Sequence, residues 1–274
     1  DQHLISYVHF PREFRIFSGL PSIHFPDQPF RGLSGRRLSS LILKTVYRAA
    51  KSNPAAQVVC NSYFTRDSFL KIYPSAQPVP QIVYPPVRMA PYFSRQGARE
   101  NSVVSLGRFA EDKGQLEIIK LAEDLPQIRF HIIGFSQKPD YLNRCKDYIN
   151  SHQLENVDLH VNAGFSETIS ILQRAKIFVH RLINEPFGLS TVQGIAAGCI
   201  PIVHDSGGQI ETIPFDFLRY RSSDEISGII ETVNAFPEDR VDEIRADLQS
   251  HARKHFSEEV FSEKVSLLIR QQLA

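Results

Sequence analysis

Residues Ser102–Gly134 read SVVSLGRFAEDKGQLEIIKLAEDLPQIRFHIIG. The segment opens on one short apolar run, SVVSL, and closes on another, IRFHIIG. Between them a helical pattern puts Leu116, Ile119 and Ala122 on one face. A continuous apolar run is what a strand shows when both faces of its sheet are covered, as in a parallel sheet flanked by helices.

The alternation continues downstream. A helix is expected from Lys138 to Ser151, then the strand VDLHV, a helix from about Ser166 to Ala175 and the strand KIFVH. A helix over Leu189–Ala197 leads to the strand CIPIV, and FLRY supplies one more. Such a chain makes an α/β domain whose ligands sit at the carboxyl ends of the strands, in the loops that open the helices. Upstream, LISYVHF and AQVVCNS read as strands separated by a helix over Arg36–Ala50. QIVYPPV is a short strand ending in a double proline, and RMAPYFSRQGARE reads as a linker. The boundary therefore falls near residues 88–100, giving domains 1–95 and 96–255. After Ser222 the pattern is helical, over Asp224–Ala235 and Asp239–His255. A last helix, 256–274, is expected to cross back to the first domain, with Ser257 as N-cap and Glu258 and Glu259 in its first turn.

The formal net charge is +1, which gives no reason to expect nucleic acid as a partner. Basic residues nevertheless outnumber acids before Lys51, with Arg12, Arg15, Arg31, Arg36 and Arg37 interleaved with Phe14, Phe17, Phe25 and Phe30. That stretch is either a solvated surface over packed aromatics or a face for anionic lipid or phosphate. Three cysteines, Cys60, Cys145 and Cys199, are far apart, which suits a reducing compartment better than a disulfide framework. No apolar run approaches the length that spans a bilayer, and no signal peptide opens the chain.

Two stretches carry chemistry. In SLGRFAEDKG a strand ends at Leu106, Gly107 lets the backbone turn closely, and Arg108 and Lys113 flank a helix entry. A glycine turn, two cations and a helix N-terminus can hold a diphosphate, or form an ordinary strand–helix turn with surface cations. The stretch is neither G-x-G-x-x-G nor a Walker loop. In NEPFGLSTVQG, Glu185 precedes Pro186 and is held in a loop, while Gly188 and Leu189 open a helix with unpaired N–H groups. A carboxylate there can grip sugar hydroxyls, or merely favour the helix dipole. Gln193 lies one turn further along, on the face expected to look back to the cleft. His9 closes a strand in YVHFP, and Gly207 and Gly208 in HDSGGQIE permit a close backbone approach or a tight turn.

Together, SLGRFAEDKG, EPFGLSTVQGIAAG and HDSGGQIE resemble the donor half of a retaining glycosyltransferase of the GT-B fold, family GT4. YVHFP, VVCNSYFTRDSF and IVYPPV are similar to the dolichol-linked oligosaccharide α-1,2-mannosyltransferase family and its prokaryotic relatives. The resemblance implies two Rossmann-like domains with parallel sheets. It places a strand and a Gly-rich loop before HFP, so the first domain is expected to be incomplete in this chain. It implies catalytic roles for His9, Arg108, Lys113 and Glu185. Donor binding would fall to Gly107, Arg108, Lys113, Gly134, Glu185, Phe187, Gly188, Leu189 and Gln193. Gln193 stands where the family's E-x7-E motif has its second glutamate; a neutral amide keeps one acceptor oxygen for a hydroxyl.

The reaction so implied moves a hexose, with mannose from GDP-mannose as the family's lean, from a nucleotide-sugar donor to a glycan or lipid-linked glycan acceptor. No D-x-D pair occurs, so neither a cofactor nor a metal is expected on the diphosphate. The expected setting is cytoplasmic, at a membrane face reached through the basic N-terminal part. A nucleotide-sugar-binding homologue without turnover is the alternative, and an epimerase on the same architecture a third reading.

Overall fold

The computed structural model describes residues 4–9, 56–72, 74–93, 99–136 and 139–273. The expected helix at 36–50 and the basic, phenylalanine-containing stretch lie outside them. The chain divides into two compact units, Asp1–Tyr84 with Phe261–Ala274, and Pro85–Val260.

In the first unit β1 (Leu4–Val8), β2 (Ala56–Cys60) and β3 (Gln81–Ile82) form a parallel sheet in the order β1-β2-β3. The strand expected over QIVYPPV shortens to two ladder residues. Val83 still donates its N–H to the Cys60 carbonyl at 3.0 Å, but Pro85 and Pro86 have no N–H to continue the ladder. Helix α1 (Tyr63–Ile72) buries Phe69 completely against Val8, Cys60 and Ala76, a burial that stabilises by about 2–3 kcal/mol. Ser62 starts that helix, its Oγ accepting the Thr65 N–H at 3.0 Å. On a second cluster Val59 and Val83 pack with Leu268, supported by Phe261 and Val265 from the terminal helix.

The second unit holds a six-stranded, wholly parallel sheet. Its strands are β4 (Glu100–Leu106), β5 (Arg129–Gly134), β6 (Val157–Val161), β7 (Ala175–His180), β8 (Ile200–His204) and β9 (Arg219–Tyr220). Helices α2 (Gln115–Asp124), α3 (Pro139–Ser151), α4 (Phe165–Arg174), α5 (Leu189–Ala196), α6 (Glu225–Ala235) and α7 (Glu238–Phe256) connect and cover them. Helix α8 (Glu258–Leu273) follows, with Ser257 Oγ accepting the Val260 N–H at 3.4 Å as its start.

The face of α2 differs slightly from expectation. Its buried positions are Gln115, Ile118, Ile119 and Ala122, whereas Leu116 is only partly covered. The Leu116 N–H, one of the helix's first, is taken by the Tyr141 hydroxyl from α3 at 3.0 Å.

Strand order decides where a ligand can sit. The sheet runs β6-β5-β4-β7-β8-β9, so the chain winds outward from β4 to β6, returns through α4 to β7 beside β4, and winds outward again. The direction reverses between β4 and β7. In an open α/β sheet the ligand crevice lies there, outside the carboxyl ends of the two strands. Burial agrees: the middle of β4 and nearly all of β7 and β8 are buried, so both faces are covered. Among the described residues no helix is long and apolar enough to cross a membrane.

Candidate active site

The loop after β4 is fixed by its backbone and by one glutamine. Gly107 donates to the Ile133 carbonyl at 3.1 Å and Phe109 to that of Phe135 at 2.9 Å, so the loop lies along the end of β5. Gln115 is buried, and its Nε2 donates to the carbonyls of Gly107 at 3.3 Å and Arg108 at 2.7 Å. Gly134 faces the same loop; a Cβ there would stand 2.7 Å from the Phe109 ring, so only glycine fits. Beyond the loop a single 3₁₀ turn, Glu111–Lys113, presents Lys113. Arg108 points outward, its side chain 43% exposed and 3.5 Å from Asp112.

The loop after β7 carries the acid. Its backbone is clamped by the stretch following β8. Gly208 donates to the Glu185 carbonyl at 2.7 Å, and Ser206 Oγ accepts the Asn184 N–H at 2.9 Å. The buried Gln209 adds bonds from Nε2 to the carbonyls of Leu182 at 2.9 Å and His204 at 3.1 Å. Gly207 must be glycine: its φ is 74°, and a Cβ would press on the Asn184–Glu185 peptide. HDSGGQIE therefore braces the loop that holds Glu185.

The two loops meet at the switch point. Lys113 Nζ lies 2.8 Å from Glu185 Oε2, and His180 Nε2 approaches the same oxygen at 3.2 Å. The Lys113 and Glu185 side chains are 22% and 15% exposed, so water screens this pair only partly. Burial alone would push the Glu185 carboxyl up. The His180 hydrogen bond and the Lys113 charge outweigh it and hold the group at about 2, ionised at neutral pH. His180 is buried, and its own carbonyl accepts the Tyr220 hydroxyl at 3.3 Å.

Among the other expected residues, Gly188 is the N-cap of α5, and no side chain among the described residues caps that helix. Leu189, the first helical residue, is 44% exposed. The Phe187 side chain turns away into the core, edge-on to Phe256 at 5.3 Å, so only its backbone belongs to the loop. The Gln193 side chain lies near the phenol of the buried Tyr92; burial pushes that phenol up, and Gln193 works against it. His9 belongs to the other unit, exposed at the end of β1, with its carbonyl accepting from Thr65 Oγ1 at 3.1 Å.

Sequence reasoning passed over His180 and Tyr92. The signal for His180 was its place as the last residue of the strand KIFVH, five positions before Glu185. Tyr92 carried none, because it lies in a stretch read as linker.

Fold and crevice define a doubly wound α/β protein with its cleft at the switch point between β4 and β7. The chain belongs to the glycosyl transferases group 1 family, whose model matches residues 93–255. It is 28% identical over 169 residues to the GDP-Man:Man(3)GlcNAc(2)-PP-Dol alpha-1,2-mannosyltransferase of Mus musculus, covering 55% of this chain and 34% of that protein. The Xenopus laevis protein of the same name is 27% identical over 229 residues, covering 75% of this chain and 47% of the relative. The chain thus spans between a third and a half of the length of these relatives. Its fold matches Anabaena Alr3699/HepE, solved with UDP and glucose, with a TM-score of 0.72 and 20% identity over 83% of this chain and 67% of that one. The architecture is that of the GT-B glycosyltransferases.

Proposed function

We propose that this chain is the donor-binding part of a retaining glycosyltransferase that moves a hexose, mannose from GDP-mannose, onto a glycan or lipid-linked glycan. The observation that carries the reading is the joining of Lys113, Glu185 and His180 on one carboxylate oxygen at the switch point. Without a ligand, Glu185 and Lys113 satisfy each other. A nucleotide-sugar offers each a better partner: the diphosphate for Lys113 and Arg108, and sugar hydroxyls for Glu185 and the backbone around Gly188. As the bond between the anomeric carbon and the diphosphate breaks, negative charge grows on the leaving oxygen. In this reading the cations and the N-terminus of α5 stabilise it. The acceptor hydroxyl attacks the same face and its proton passes to the leaving phosphate, so configuration is retained. We propose no metal on the diphosphate, because the chain has no D-x-D pair to hold one.

One observation favours a second reading, a nucleotide-sugar-binding homologue without turnover. Gln193 stands where the resemblance implies a second glutamate, and it lies near the Tyr92 phenol. Incubating the protein with labelled GDP-mannose and membrane lipid extract separates the two. Transfer of label to lipid, lost in Glu185→Ala, supports the enzyme; donor binding with neither transfer nor hydrolysis sinks it.

A further inference from the structure

Away from the switch point, the middle of β5 and the edge strand β6 carry a second polar cluster. The parallel register sets His131 beside Asp158 and Ile133 beside His160. Side chains alternate along each strand, so His131, Asp158 and His160 share one face of the sheet. Their ligand-type atoms all lie within 4.8 Å of one another. His131 Nδ1 is 3.2 Å from His160 Nε2 and 3.4 Å from Asp158 Oδ2. Four ligands held tetrahedrally at about 2.0–2.1 Å from zinc stand about 3.3 Å apart. Both measured edges match that spacing.

The outer ring nitrogens sharpen the case. His131 Nε2 faces Glu100 at 3.6 Å, and His160 Nδ1 faces Glu167 at 3.6 Å. His131 is 6% exposed, and among the described residues its Nε2 has no partner within hydrogen-bond distance, Glu100 lying just beyond it. Two neutral imidazoles serve this arrangement poorly. Only one proton fits between the inner nitrogens, so one of the rings must turn a lone pair toward a carboxylate. A cation between the inner nitrogens removes the conflict: both inner lone pairs bind it, and both outer N–H groups point at Glu100 and Glu167. Carboxylate–histidine–metal chains of this kind orient metal-binding histidines.

We propose that His131 Nδ1, His160 Nε2 and Asp158 Oδ2 hold a divalent transition-metal ion of the zinc class, which ties the edge strand β6 to β5. Two imidazoles and a carboxylate suit zinc, cobalt or nickel rather than calcium or magnesium. The ion is structural and lies mid-strand, apart from the donor crevice. Asp158 and His160 are 31% and 20% exposed, which leaves a path for the metal and for a water as fourth ligand. The competitor is Arg129, whose Nε and Nη2 hold the two Asp158 oxygens at 2.6 Å and 2.5 Å. It is half exposed, and its Nη1 also donates to the Glu155 carbonyl at 3.1 Å, so metal uptake must displace it from Asp158.

The test is titration of untagged, chelator-stripped protein with Co²⁺, read by visible absorption. The expected result is one ion per chain with the intense bands of a tetrahedral site, displaced by Zn²⁺. His160→Ala should abolish uptake, and Glu167→Gln, a surface change that leaves the ligands in place, should weaken it about 10–100-fold. Arg129→Ala should tighten it by freeing Asp158. No stoichiometric uptake would overturn the proposal, leaving an extra proton as the cation between the rings. Uptake unchanged in both His160→Ala and Glu167→Gln would overturn it equally.

Discussion

Replacing Glu185 by glutamine removes the carboxylate of the switch-point cluster while keeping its shape. In the folded chain the carboxyl sits at about 2 rather than the ordinary 4.5. That difference corresponds to about 3 kcal/mol of stability, at about 1.4 kcal/mol per tenfold change in proton affinity. A depressed carboxyl contributes fully above the ordinary value, and its contribution fades as pH falls from about 4.5 toward about 2. Glu185→Gln should therefore be less stable than the parent by up to about 3 kcal/mol near neutral pH, and the gap should close progressively below pH about 5. The chain has no tryptophan, so urea unfolding is best followed by far-UV circular dichroism, at a series of pH values for both proteins. A gap that stays constant from neutral to acid pH would refute the reasoning. It would mean that Lys113 and His180 do not hold the carboxylate charge in solution.

Three further outcomes are expected. Lys113→Met should weaken GDP binding at least about tenfold by calorimetry, the scale of one lost charge-assisted hydrogen bond; unchanged affinity would remove Lys113 from the diphosphate. Gln193→Glu should raise donor affinity if the amide is a handicap, and Tyr92→Phe, which removes the phenol near Gln193, should shift affinity as well; no change in either variant would place Gln193 outside the donor pocket. Cys60, Cys145 and Cys199 are buried, and burial pushes each thiol up to about 12. A thiol reagent should therefore label none of them in native protein and all three after denaturation, and native-state labelling would show local opening.

Much of this was legible in the sequence because it is local. Apolar runs spaced by helical patterns marked β4, β5, β7 and β8, since a strand covered on both faces shows a near-continuous apolar run. Pro186 and the glycines around it marked the Glu185 loop as a loop. The length of β3 was not legible, because a short apolar run does not reveal which of its residues find a ladder partner. Nor was the buried side of α2, where Tyr141 from the next helix takes the Leu116 N–H.

What the sequence alone determined is the parallel α/β alternation and the residue types able to meet a diphosphate and a sugar. What tertiary structure alone decided is which of them meet. Lys113 and Glu185 stand 72 positions apart, and they touch because the return through α4 sets β7 beside β4 rather than beside β6. The same order leaves β6 at the edge, where its register with β5 gathers His131, Asp158 and His160. Neither meeting can be read from spacing along the chain, because strand order is set by how the whole sheet covers its two faces.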